Sequence, residues 1–144
     1  MEKEDYMRIA LIEASKSLET DDVPVGAVIV FNNEIIGIAH NERVKNNRTV
    51  DHAEILAINM ANDRLGLSRL DGAEVYVTKE PCLMCMGALL SARISKIYFG
   101  AFDPRFGTQE LAYNNNFNHK CEIEGGVLLS ECEKIIKDFF KKLR

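Results

Sequence analysis

No apolar run in this chain approaches the ~20 residues that a membrane-spanning helix needs. With only three prolines and nine glycines, there is no proline-rich or glycine-rich linker, and no internal repeat or low-complexity segment divides the chain. The opening Met1-Glu2-Lys3-Glu4-Asp5 is charged and acidic, unlike a secretory leader. A cytoplasmic protein is therefore expected. The net charge of −4 lacks the overall basic excess of a typical nucleic-acid binder. Cysteine is sparse at four residues, and two of these stand in a Cys-x-x-Cys. That spacing favours a metal and a reducing compartment over a disulfide framework.

What is present suits a single folded domain over residues 1–144, since 47% of the residues are hydrophobic. Residues 3–18 predict an amphipathic helix, with Met7, Leu11, Ala14 and Leu18 on one stripe. Residues 24–31 are apolar and β-branched, as in a strand buried on both faces. Asn32-Asn33 supplies a tight turn, and residues 34–39 return as the second strand of a hairpin. Residues 40–51 are polar and predict a loop. A helix follows from His52 to about Arg64, with Ala53, Leu56, Ala57 and Met60 inside, and Gly66 marks its end. Residues 74–78 predict a third strand, and Pro81 opens a helix that reaches about Arg93. Residues 96–100 and 120–125 predict two more strands around an irregular stretch. Ser130 and Glu133 fit a capping box for a last helix that runs to Leu143. Strands alternating with helices imply an α/β fold: a mixed five-stranded sheet with helices on both faces.

The chemistry concentrates in two short segments, His52-Ala53-Glu54 and Pro81-Cys82-Leu83-Met84-Cys85. One imidazole and two thiolates suit zinc, one ion per chain. A structural zinc site is closed by four protein ligands, whereas a catalytic one keeps a position for water. Three ligands, His52, Cys82 and Cys85, leave that position open, and Glu54 stands where it can move the water's protons. Cys82 and Cys85 lie in a first helical turn, where the helix dipole favours thiolate. Two residues apart on a helix, His52 and Glu54 point about 200° from one another. They converge only if both project from the helix N-terminus, so two helices should meet N-terminus to N-terminus across the metal. Cys121 and Cys132 are conceivable fourth ligands in no knuckle-like spacing, and read most simply as buried free thiols.

His-x-Glu followed by Pro-Cys-x-x-Cys resembles the signature of the zinc-dependent cytidine and adenosine deaminases. Val23-Pro24-Val25-Gly26-Ala27, Tyr76-Val77-Thr78, Glu80-Pro81-Cys82, Phe99-Gly100-Ala101 and Asn118-His119 extend that resemblance to the bacterial-type tRNA adenosine deaminases, over nearly the whole chain. The resemblance implies a three-layer α/β/α cytidine-deaminase-like fold and hydrolytic conversion of adenosine to inosine at the tRNA wobble position. By resemblance Glu54 is the acid–base residue. Asn41 hydrogen-bonds the nucleoside, Val25, Gly26 and Ala27 form a wall under the base, and Ala53, Pro81 and Asp103 complete the substrate site. Asn118 and His119 match as well, but receive no chemistry. The family also implies a homodimer, and the helix from Pro81 carries Met84, Met86, Leu89 and Leu90 as apolar surface for it.

Two rivals stand beside this reading. One is deamination of a free base or nucleoside such as guanine, cytosine or guanosine. The other is a non-catalytic zinc-bound partner subunit, against which Glu54 counts, because a structural zinc does not need it. For RNA, the local charge decides. Arg43, Lys45 and Arg48 follow Asn41 and lead into His52, so they would form a basic rim at the mouth of the site. Lys134, Lys137, Lys141, Lys142 and Arg144 read equally as a solvated helix face or as RNA contacts.

Overall fold

A computed structural model describes residues 1–105, 107–108 and 119–143. The sheet order is β2-β1-β3-β4-β5. Its strands are β1 (Gly26–Phe31), β2 (Glu34–His40), β3 (Glu74–Lys79), β4 (Lys96–Ala101) and β5 (Glu122–Glu124). β1 runs antiparallel to both β2 and β3, while β3, β4 and β5 are parallel. The mixed sheet expected from the sequence is thus present. The β1–β2 hairpin turns at Asn32 and Asn33, with φ of 50° and 62°, the left-handed pair that matches strand twist.

The helices are α1 (Lys3–Ser15), α2 (Arg43–Asn46), α3 (Ala53–Leu65), α4 (Leu83–Ser91) and α5 (Leu129–Lys142). α1 and α5 cover one face of the sheet; α3 packs on the other. β1 shows why its sequence carries no polar alternation. Ala27 and Ile29 enter the core under α3 and α4 with Val75, Val77, Ile97 and Phe99. Val28 and Val30 enter the core under α1 with Met7, Ala10 and Tyr76. A central strand covered on both sides gains from apolar residues at every position.

Four details differ from the sequence reading. The first helix stops at Ser15, and Lys16–Thr20 tighten into a 3-10 turn, which leaves Leu18 43% exposed. In α3 the inner stripe is Ala53, Ala57 and Ala61, spaced four apart, while Met60 lies outside with its sulfur on the Ile38 N–H. Small residues win there because the helix lies close to β2: a Cβ on Gly37 would sit 2.4 Å from the Ala57 carbonyl oxygen. Pro81 precedes α4 rather than opening it, and Cys82 is the N-cap. The last helix is capped by Leu128 in a left-handed conformation, φ 52°, so Ser130 and Glu133 lie inside the helix and form no capping box.

The dimer argument also changes. Met86, Leu89 and Leu90 are buried in the chain's own core, with exposures of 0%, 0% and 1%, so they offer no surface to a partner. The exposed apolar residue of α4 is Leu83. No helix among the described residues is long and apolar enough to cross a membrane.

Candidate active site

α3 and α4 begin side by side, and each begins on a metal-type ligand. His52 is the N-cap of α3 and Cys82 the N-cap of α4, both with extended backbones. Neither uses its side chain to cap its own helix. The imidazole turns to the sulfurs instead. His52 Nδ1 lies 3.7 Å from Cys82 Sγ and 3.6 Å from Cys85 Sγ. All three ligand atoms fall within 4.8 Å of one another. Zinc–sulfur and zinc–nitrogen bonds of about 2.3 and 2.1 Å at a tetrahedral angle give a sulfur–nitrogen edge of about 3.6 Å. The donor set therefore fits that ion in both kind and spacing, as the helix-end geometry inferred from His-x-Glu requires.

Hydrogen bonds from Cys85 and then His52 hold the Cys82 thiol far down, to about 3. Cys85 is the donor to that thiolate, and this bond together with burial pushes its own thiol well up. The bond to Cys82 likewise raises the His52 imidazole. Glu54, 4% exposed, stands in the first turn of α3. Burial raises its carboxyl to about 6, opposed by its own backbone N–H and the positive His52. A divalent cation among these groups adds charge that favours thiolate and carboxylate.

These groups open into a cleft of about 260 Å³. Val25, Asn41, Arg43, His52, Glu54, Cys82 and Asp103 line it. Asn41 Oδ1 accepts the Ala53 N–H at 2.8 Å, and its Nδ2 donates to the Val23 carbonyl at 3.0 Å. Ala53 is fully buried and meets the site through that amide. Pro81 is buried too, its carbonyl accepting from the Thr108 hydroxyl at 2.9 Å. Ala27 is a core residue under α3. Gly26 packs against α1. A Cβ there would lie 2.0 Å from the Ala10 carbonyl oxygen and 2.7 Å from the Ala14 nitrogen, so its smallness serves the close approach of α1.

The 40–51 stretch, expected as a loop, contains α2, a single turn. Asp22, 2% exposed, accepts from the Val44 N–H at 2.6 Å and the Lys45 N–H at 3.2 Å. These are the unpaired amides at that helix start. Arg43, Lys45 and Arg48 are exposed on this segment, Arg43 on the cleft itself, with Lys45 3.4 Å from Glu42. The sequence reading missed Asp22, Lys79 and Glu80, all on the cleft. Glu80 was legible only as part of Glu80-Pro81-Cys82; nothing local marks Asp22.

His119 donates from Nε2 to the Ile94 carbonyl at 2.6 Å, and Asn118 lies outside the described residues. Cys121 and Cys132 are buried free thiols, pushed by burial up to about 12, and neither joins the His52 cluster. Lys134, Lys137, Lys141 and Lys142 are exposed on α5, Lys134 paired with Asp138 at 2.6 Å, and Arg144 lies outside the described residues.

The whole chain, residues 1–144, matches the family model of the MafB19-like deaminases. A tRNA-specific adenosine deaminase of Bacillus subtilis (strain 168) is 47% identical over 143 residues, covering 96% of this chain and 89% of that one. A solved structure from studies of A-to-I editing by tRNA:A34 deaminases at the wobble position superposes with a TM-score of 0.87 at 38% identity, covering 91% of this chain and 98% of the other. The guanine deaminase of Bacillus subtilis is more distant: TM-score 0.69, 27% identity, 86% of this chain and 85% of the other. Sheet order, paired helix ends and full-length similarity agree, and the chain belongs to the MafB19-like deaminase family, among its tRNA-specific adenosine deaminases.

Proposed function

We propose that this single-domain protein is a zinc-dependent hydrolase that deaminates adenosine to inosine at the wobble position of tRNA. The observation that carries the reading is the buried Glu54 carboxylate beside the His52–Cys82–Cys85 cluster, open to the cleft. The substrate rests on the 47% identity to a tRNA-specific adenosine deaminase against 27% to a guanine deaminase.

His52 Nδ1, Cys82 Sγ and Cys85 Sγ would hold the metal. A zinc ion with three protein ligands supplies Lewis acidity that brings a water's pKa toward ~7. Glu54 takes the proton of the attacking water and passes it to N1 of the adenine ring as the water oxygen bonds to C6. The same carboxylate then takes the proton of the new C6 hydroxyl and delivers it to the exocyclic nitrogen. The C6–N bond breaks, ammonia leaves and the C6 carbonyl of inosine remains. Asn41, anchored at both ends of its amide, keeps a second N–H for the nucleoside. Val25 and Asp103 border the base, and Arg43, Lys45 and Arg48 meet backbone phosphates of a splayed anticodon loop.

A buried carboxylate beside three ligands argues against a purely structural zinc subunit. Thiols offered as ligands suit a reducing cytoplasm. A homodimer follows from the family likeness, with Leu83, 67% exposed beside Cys82, as the apolar surface available on α4. Light scattering at micromolar concentration should give twice the chain mass.

The deciding experiment is a product screen. Purified protein is incubated with tRNA carrying adenosine at the wobble position, and separately with free bases and nucleosides. Inosine in the tRNA is expected, with about one equivalent of zinc in the protein. Ammonia from a free base alone would overturn the tRNA assignment.

A further inference from the structure

Glu80 is a buried carboxylate on the cleft, 5% exposed, that the deamination steps do not use. Its backbone N–H donates to the Ala101 carbonyl at 2.8 Å, extending the β3–β4 pairing. Its side-chain Oε1 accepts the backbone N–H of Asp103 at 2.9 Å. The preceding residue holds the same target from its other side: Lys79 Nζ is 3.1 Å from Asp103 Oδ2. Asp103 in turn organises the residues after it, its Oδ1 accepting the Arg105 N–H at 3.0 Å and its carbonyl the Gly107 N–H at 2.9 Å. Thr108 closes the ring through its hydroxyl bond to Pro81, 2.9 Å long. Gly107 fits over the carboxylate because it has no side chain: a Cβ would lie 2.3 Å from Glu80 Oε2 and 2.4 Å from the Asp103 carbonyl oxygen.

One buried side chain thus holds Asp103 and lies under Gly107, and only Pro81 separates it from the metal-type ligand Cys82. We propose that Glu80 is a positioning residue: its carboxylate clamps the Asp103 turn to the segment that carries Cys82, and so sets the distance from the cleft wall to the reacting carbon. A carboxylate is suited to this place because it only accepts, and the group facing its Oε1, the Asp103 N–H, is a donor. Charge-assisted bonds of this kind are short and strong enough to hold the backbone at Asp103. The effect predicted is on how the substrate is seated, not on proton transfer.

The inference rests on the deaminase reading for its kinetic arm only. Glu80→Ala should keep about one equivalent of zinc, raise KM for tRNA at least tenfold, and leave kcat within threefold. Hydrogen exchange at the Asp103 amide, read without substrate, should quicken at least tenfold. Glu80→Gln, which retains an acceptor for that amide, should stay within threefold of the parent in KM and in exchange. An unchanged KM with falling kcat, unchanged exchange, or a Gln variant as impaired as the Ala variant would each overturn the clamp. Should Glu80→Ala not fold, Gly107→Ala displaces the turn with the carboxylate intact. It should raise KM similarly at full zinc content, and a parental KM there overturns the proposal. If the parent itself leaves tRNA unmodified, the functional reading fails, while the exchange data still decide whether Glu80 holds the turn.

Discussion

Asn41 Oδ1 lies 2.8 Å from the backbone nitrogen of Ala53, the residue between His52 and Glu54. The bond supplies what α3 does not supply for itself. A helix start leaves unpaired N–H groups, and the N-cap side chain usually takes one. His52 occupies the N-cap, but its ring faces the sulfurs of Cys82 and Cys85. Asn41 caps the helix from the end of β2 and frees the histidine for the metal.

Replacing Asn41 with Ala should therefore cost stability as well as activity. Loss of a cap removes about 0.5–2 kcal/mol. Urea unfolding of metal-free protein is the suitable measurement, because a bound ion would mask part of the loss. An unchanged midpoint would show that the amide serves the substrate alone.

Glu54→Ala separates chemistry from metal binding. Glu54 is not among the three clustered ligands. Zinc content and circular dichroism should match the parent, while turnover falls by about 10²–10⁴, the range for a general acid–base group. Activity within tenfold of the parent would place the proton transfers on another residue.

The rim is tested by salt. Arg43, Lys45 and Arg48 are exposed on α2 and the turn after it. Changing all three to Gln should weaken tRNA binding. It should also lower the slope of log affinity against log salt by about 0.7 per lost contact, roughly two in all. A slope equal to the parent's would move the phosphate contacts elsewhere, the lysines of α5 being the next candidates.

Acid stability should depend on Glu13. Burial pushes its carboxyl upward, but hydrogen bonds from Lys16 and His40, at 2.8 Å each, outweigh this and hold it below its ordinary 4.5. A carboxylate lowered in the folded state stabilises it above the unfolded value, and that contribution is lost as pH falls through the folded one. Glu13→Gln should thus be less stable at neutral pH and lose less on acidification. Parallel urea-midpoint profiles for parent and variant below about pH 5 would contradict this.

How much of this was legible before folding differs from residue to residue. Local spacing carried the metal cluster, since Cys82 and Cys85 are three apart and His52 and Glu54 two apart, and only adjoining helix starts reconcile both. It carried the sheet as well, because β1 is apolar at every position and the asparagine pair supplies the hairpin turn. It did not carry Asp22, which makes α2 a helix from outside it, or Glu80, whose partner is the backbone of a turn more than twenty residues on. It did not show that a Cβ at Gly26 would strike the backbone of α1. The dividing line is physical. Periodicity and ligand type are properties of neighbouring residues, so a sequence displays them. A remote carboxylate on a backbone N–H, or a missing Cβ beneath a crossing helix, comes into being only when distant segments are brought together.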